Sequence, residues 1–263
     1  VQIPAVPLAT FEAFLICAAR TAALVASIPV ISGGQTPATI RTGLAVTLAL
    51  VTYPAVASFI PHQELAPAQL AVLVGQEALL GLLIGLMARL IFTAVEFGGA
   101  IIGYQMGFAA ANVFDPQGQH QISLMSQFQN VFAILIFLAL DGHLLFLRVM
   151  AGSYRLLPPG RLDLSGEAVP YLMQMAGSMF GLAVRFSAPI LALLLLSGLV
   201  LGIMARIFPQ LNVFMLSFPV NIGLALLVIG LTFHLVASLL SREFGALPER
   251  LFHLCELLRP GGG

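Results

Sequence analysis

Apolar residues run through this sequence in stretches longer than a soluble fold can bury. From Gln69 to Val95 the only charges are Glu77 and Arg89, with Glu96 immediately after. A helix crosses the hydrocarbon core of a bilayer with about 20 such residues. The whole chain follows suit, with 59% hydrophobic and 8% charged residues in 263 and a mean hydropathy of +1.02. An ordinary globular domain carries roughly 25% charged residues, so the fold class that follows is an all-α membrane protein.

Charges, prolines and glycines mark off the candidate spans. The first covers Leu8 to Ile31 and stops at Ser32-Gly33-Gly34, with Thr36-Pro37 beyond; the second covers Ile40 to Ile60 and closes on Pro61-His62-Gln63-Glu64. Gln69 to Val95 is the third. A glycine-rich apolar run, Phe97 to Asp115, and a polar stretch, Pro116 to Asn130, then form the least helix-like part of the apolar chain. Ser126 to Met150 is expected as a further helix, and Leu156 to Pro170, with Pro158-Pro159-Gly160, as a loop. Val169 to Ala205 contains Pro189, which is expected to kink it, and Leu211 to Leu240 contains Pro219. In the tail, Leu247, Leu251, Leu254 and Leu258 make one face of an amphipathic surface helix. No basic segment precedes the first run, and Glu12 and Arg20 lie inside it, so it reads as a retained membrane helix rather than a signal peptide. The arginines are too few in clear loops to orient the chain.

Charge excludes other classes. Eleven basic residues, all arginine, balance eleven acids, which leaves no basic stripe for nucleic acid. Cys17 and Cys255 stand far apart with no CxxC or Cys/His spacing, and read as reduced packing residues. No GxSxG elbow, HExxH, Walker A or strand-linked GxGxxG occurs. Asp141-Gly142-His143 offers an acid beside a base but no nucleophile, and its glycine favours a turn. His234 alone on an apolar face reads as a buried, hydrogen-bonded histidine. Neither a cofactor nor a metal is called for, and the chain is read as a non-enzyme.

Three features remain as candidate sites. Gly99, Gly103 and Gly107 recur every four residues, a spacing that lets backbones approach closely in lipid, and the pairs Gly81/Gly85, Gly177/Gly181 and Gly198/Gly202 repeat it. The triple runs directly into Phe108, Asn112, Phe114 and Asp115-Pro116, joining a tightly packed helix to a break at apparent membrane depth. Such irregular backbone is tolerated only where protein buries it or where it lines a cavity. Glu77, Arg89 and Glu96 are ionisable groups inside apolar sequence, to be paired between helices or placed on an ion path. Arg206-Ile-Phe-Pro209-Gln210-Leu-Asn212-Val-Phe214 is a polar break between two apolar helices, either a plain turn or a docking site.

Taken together these residues resemble the FliR family of flagellar type III export-gate proteins, called SctT, SpaR or YscT in virulence injectisomes. The matching stretches are Gly103-Tyr104-Gln105-Met106-Gly107 with Phe114-Asp115-Pro116, Phe137-Leu138-Ala-Leu-Asp141-Gly142-His143, Ser153-Tyr154-Arg-Leu-Leu-Pro158, and Arg206 to Phe214 with Phe218-Pro219. They span nearly the whole chain in the family's order. Asp141 departs from it, since the family usually has Asn before Gly-His.

The resemblance implies kinked helical hairpins packed as one subunit of a helical, cone-shaped gate in the bacterial inner membrane, at the flagellar basal body. It implies a single domain, 1–263, with FliP-like helices and a pore loop over about 1–168. A FliQ-like hairpin and the C-terminal amphipathic helix would occupy about 169–263. Homologues of FliP and FliQ, contact with FlhB and FlhA homologues, membrane lipid and unfolded export substrates are the implied partners. A loop sealing the closed pore would map to Gly103, Gln105, Met106, Gly107, Phe108, Phe114, Asp115 and Pro116; flexible Met and bulky Phe can block ions by dewetting and still yield to a polypeptide. Gly99, Arg206, Pro209, Gln210, Asn212 and Phe214 are the expected subunit-packing positions. An injectisome subunit is the near alternative. A secondary transporter is the distant one, and it lacks a convincing pair of repeated halves.

Overall fold

The computed structural model describes residues 7–29, 36–60, 65–107, 124–164 and 166–260. Every regular element among them is helical. In chain order they are α1 (Leu8–Ser27), α2 (Ala38–Val56) with a 3-10 turn at Ala57–Phe59, α3 (Pro67–Gln105), α4 (Leu124–Ala139), α5 (Gly142–Leu156), α6 (Ala168–Ile207), α7 (Val213–Gly245) and α8 (Leu247–Leu257). By length and composition, five of the described helical stretches are apolar enough to cross a membrane, and α4 with α5 makes a sixth as one broken span. The chain is a multi-pass membrane protein.

Contacts divide the chain into two compact units, whose boundaries fall within α3, α6 and α7 and between α4 and α5. The first takes its described residues from Val1–Leu90, Asp141–Met175 and Phe244–Gly263. Here α1 lies along α2, with Ala13, Ile16, Cys17, Val56, Ile60 and Tyr154 in the core. Gly81 and Gly85 let α3 come against α1. A Cβ on Gly81 would strike the Arg20 carbonyl and Ala23, and one on Gly85 would strike Ser27. The tail helix α8 does not merely lie on the surface. Leu247, Leu251, Leu254, Cys255 and Leu258 are buried, Phe252 packs over Gly152 of α5, and the Asp163 N–H donates to the Leu258 carbonyl at 2.9 Å. Its amphipathic face therefore meets protein. Cys17 and Cys255 are both buried and free.

The second unit comprises Ile91–Leu140 and Ala176–Glu243. Ile102, Met106, Met125, Ile190, Leu194 and Ala225 form its core, and Phe92 and Phe137 meet edge to face at 5.6 Å between centroids. Ser197 of α6 donates to Asn221 Oδ1 of α7 at 3.0 Å, a polar tie within apolar sequence.

Several expectations change. The third helix does not stop near Val95 but continues to Gln105, because its glycines are packed rather than flexible: a Cβ on Gly98 would press on the Ala183 carbonyl, and one on Gly99 on the Ser126 backbone. The expected helix Ser126 to Met150 is two helices, broken where Asp141 takes a left-handed φ of 54°. Asp and Asn are the non-glycine residues that enter this region most readily, so the geometry accounts for either at this position. Pro189 and Pro219 lie inside α6 and α7, each of which is a single continuous helix. His234 is exposed, not buried.

Candidate functional site

The most elaborate polar group in the first unit centres on Arg20, in the middle of α1. Its Nε donates to Glu77 Oε2 of α3 at 2.6 Å, Nη1 to Ser153 Oγ of α5 at 2.8 Å, and Nη2 to the Leu157 carbonyl just beyond α5 at 3.1 Å. The guanidinium also lies 3.7 Å from the centroid of the Tyr154 ring. Both charged side chains are closed off, at 0% and 4% exposure. One cation thus ties α1 to α3 and to α5, its fork geometry satisfied on each side. Sequence reading marked Glu77 as an intramembrane charge but missed Arg20 as its partner. The available signal was that Arg20 and Glu77 are opposite charges in two apolar runs, next to the Ser153-Tyr154 motif.

The other two intramembrane charges do not join this cluster. Arg89 is exposed. Glu96 is exposed as well, and its Oε1 accepts from Asn130 Nδ2 of α4 at 2.9 Å, while its main-chain carbonyl accepts from Ser126 Oγ at 2.8 Å. Glu96, Gly99, Ser126 and Asn130 are therefore one docking point of α3 on α4.

That point lies close in sequence to the expected pore loop. Gly103 is buried and Tyr104 is 73% exposed, with Gln105 between these extremes. Met106 is 1% exposed and sits in the core with Met125, Ile190 and Leu194. Gly107 ends the helix with φ of 94°, a conformation that an L side chain rarely adopts. A Cβ there would lie 2.7 Å from the Phe218 ring. Phe108, Phe114, Asp115 and Pro116 lie outside the described residues. Met106 and Met125, on either side of that stretch in sequence, share one apolar cluster.

The break from Arg206 to Phe214 is a tight turn between α6 and α7. The Leu211 N–H donates to the Phe208 carbonyl at 3.0 Å, and Asn212 Oδ1 accepts the Met215 N–H at 3.2 Å, capping an orphan donor of α7. Arg206, Pro209, Gln210, Asn212 and Phe214 are all exposed. Phe214 meets Phe218 edge on at 4.9 Å. Phe218 in turn packs on Gly107, so two motifs a hundred residues apart in sequence converge on one contact.

The glycine pairs differ in use. Gly81 and Gly85 are filled by α1, whereas a methyl group added at Gly177, Gly181, Gly198 or Gly202 of α6 would meet nothing within 4 Å. The apolar side chains nearby, such as Leu195, Leu199 and Ile203, are exposed, so among the described residues this side of α6 has no close neighbour. Among the described residues no three or more His, Cys, Asp or Glu side chains gather to hold a metal.

Residues 11–247 match the family model described as bacterial export proteins, family 1. The chain is 32% identical over 240 residues to the flagellar biosynthetic protein FliR of Pectobacterium carotovorum subsp. carotovorum, covering 89% of this chain and 91% of the relative. It is 32% identical over 251 residues to that of Bacillus subtilis (strain 168), covering 94% and 96%. To that of Escherichia coli (strain K12) it is 28% identical over 226 residues, covering 86% and 85%.

Proposed function

The chain belongs to the FliR family of bacterial export proteins, and from that premise we propose that it is a non-catalytic subunit of the flagellar type III protein export gate, helping to form and seal the channel through which flagellar components leave the cytoplasm. The observation that carries this reading is the extent of the family match, residues 11–247, with relatives of nearly equal length named as flagellar biosynthetic proteins. The injectisome alternative has no such support among these relatives.

The partners are homologues of FliP and FliQ within the gate, FlhB and FlhA homologues beside it, unfolded substrate in the pore and lipid around it; the site is the bacterial inner membrane at the flagellar basal body. Poorly covered helices support an assembled state. In their most apolar windows only 22% of α6 and 6% of Val213–Leu257 is buried, against 56% of α3. Apolar area left open in this way is covered by lipid or by sister subunits. On this reading about 1–168 corresponds to the FliP-like part, and about 169–263 to the FliQ-like hairpin with its terminal helix.

The seal is the segment from Gly103 to Pro116, anchored by Met106 and by Gly107 against Phe218, with Phe108 and Phe114 as blocking groups. Gly99 and the turn bearing Arg206, Pro209, Gln210, Asn212 and Phe214 serve subunit packing. Deleting 108–116 from the assembled gate is expected to raise ion conductance across the membrane while FliP and FliQ homologues still co-purify. Unchanged conductance removes the seal; a wild-type chain that fails to co-purify with those homologues removes the gate assignment itself.

A further inference from the structure

An open groove of about 330 Å³ runs between α1 and α2 in the first unit, away from every residue assigned above. Ala18, Ala22 and Ala26 form one wall, Ala45 and Val46 the other. The charged residue lining it is Arg41, whose Nε is shut off from solvent and has no hydrogen-bond partner among the described residues. A buried guanidinium nitrogen left in that state is costly, and the group that answers it best is an anion with several acceptor oxygens.

The position of Arg41 specifies where that anion sits. It occupies the first turn of α2, beside Val25 and Ala26 near the end of α1. The 19 residues of α2 span about 28 Å at 1.5 Å per residue, close to the thickness of the hydrocarbon core. Arg41 therefore lies at one edge of the apolar layer and Ala18 and Ala45 deeper within it. A second protein helix would fill the Ala-lined walls but would answer the cation only by carrying a carboxylate to the rim. A phospholipid does both.

We propose that the α1–α2 groove is a phospholipid-binding site, with an acyl chain along Ala18, Ala22, Ala26 and Ala45 and the headgroup phosphate on Arg41. The ligand is the lipid, not free phosphate, because the phosphate contact occupies only the rim of a mostly apolar groove. Binding of this kind fixes the spacing of α1 and α2, the helix pair that carries Arg20.

Native mass spectrometry of the full chain in detergent, titrated with dioleoyl phosphatidylglycerol, tests this. Wild type is expected to retain one lipid tightly. Arg41→Gln is expected to weaken retention about tenfold, the loss of one charge-assisted hydrogen bond, and Ala22→Phe to weaken it comparably by filling the groove while leaving the charge in place. Ala22 is exposed, so this variant also serves if Arg41→Gln does not fold. Inorganic phosphate at the same concentration is expected to leave the lipid bound. Equal retention by wild type and both variants, or displacement by phosphate alone, would overturn the proposal.

Discussion

Removing Arg20 tests how the first unit is held together. In Arg20→Met the side chain keeps an unbranched apolar stem but loses the 2.6 Å ion pair with Glu77 and the hydrogen bonds to Ser153 and Leu157. Two magnitudes compete. Polar side-chain pairs in membrane proteins average only about 0.6 kcal/mol, because the unfolded chain in the bilayer finds other partners. Breaking a buried ion pair from one side costs about 3–5 kcal/mol, since the remaining charge is left uncompensated. With the side chains at 0% and 4% exposure, Glu77 has no water to turn to, and the second figure governs. Arg20→Met and Glu77→Leu are each expected to lower stability by about 3 kcal/mol. The double variant Arg20→Met/Glu77→Leu should lose much less than their sum, because it leaves no orphaned charge. The assay is reversible unfolding in mixed detergent micelles, with a double-mutant cycle giving a coupling of at least about 2 kcal/mol. Additive losses, or single variants within about 1 kcal/mol of wild type, would refute the view that this pair is a buried tie.

The two classes of glycine should separate cleanly. Gly85→Val is expected to destabilise the isolated chain by about 1–3 kcal/mol through overpacking against α1. Gly198→Val, which meets nothing, should leave stability unchanged and reduce co-purification with FliP and FliQ homologues. Gly107→Ala combines φ of 94° with a collision at Phe218 and should cost about 1–2 kcal/mol; Phe218→Ala in the same background should recover part of it, as measured by thermal unfolding. Asp141→Asn should be neutral and Asp141→Val should cost about 1–2 kcal/mol, since φ of 54° suits the first and not the second. Asn212→Ala should lose about 1 kcal/mol with the cap on the Met215 N–H, detectable as a lower unfolding midpoint without loss of export if the turn serves only itself.

What the sequence made legible follows from one-dimensional signals. Run length identified the spans, since the bilayer imposes it on contiguous residues, and the glycine spacing between Gly99 and Gly107 identified a close-packed face for the same reason. Helix ends were harder. Glycines at 98, 99 and 103 suggested a weakening helix, but in apolar surroundings no water competes for backbone hydrogen bonds and the helix persists to Gln105. At Asp141 the opposite error arose: Gly142 signalled a turn, but the apolar residues on either side made one run long enough to be read as a single helix.

The pairing of charges was the least legible feature. Glu77 is about three turns from Arg89 on its own helix, and local spacing offered no partner. Its actual partner comes from α1, brought into reach where Gly81 gives up its side chain to the Arg20 carbonyl. The same contact that admits the backbone of α1 thus delivers the cation to the acid. A substitution at Gly81 should therefore do more than crowd the helix pair: by moving α1 outward it should draw Arg20 from Glu77. The loss in Gly81→Val is then expected to fall markedly once Arg20→Met/Glu77→Leu has already removed the charges, and undiminished loss in that background would mean that the glycine contact and the ion pair are independent.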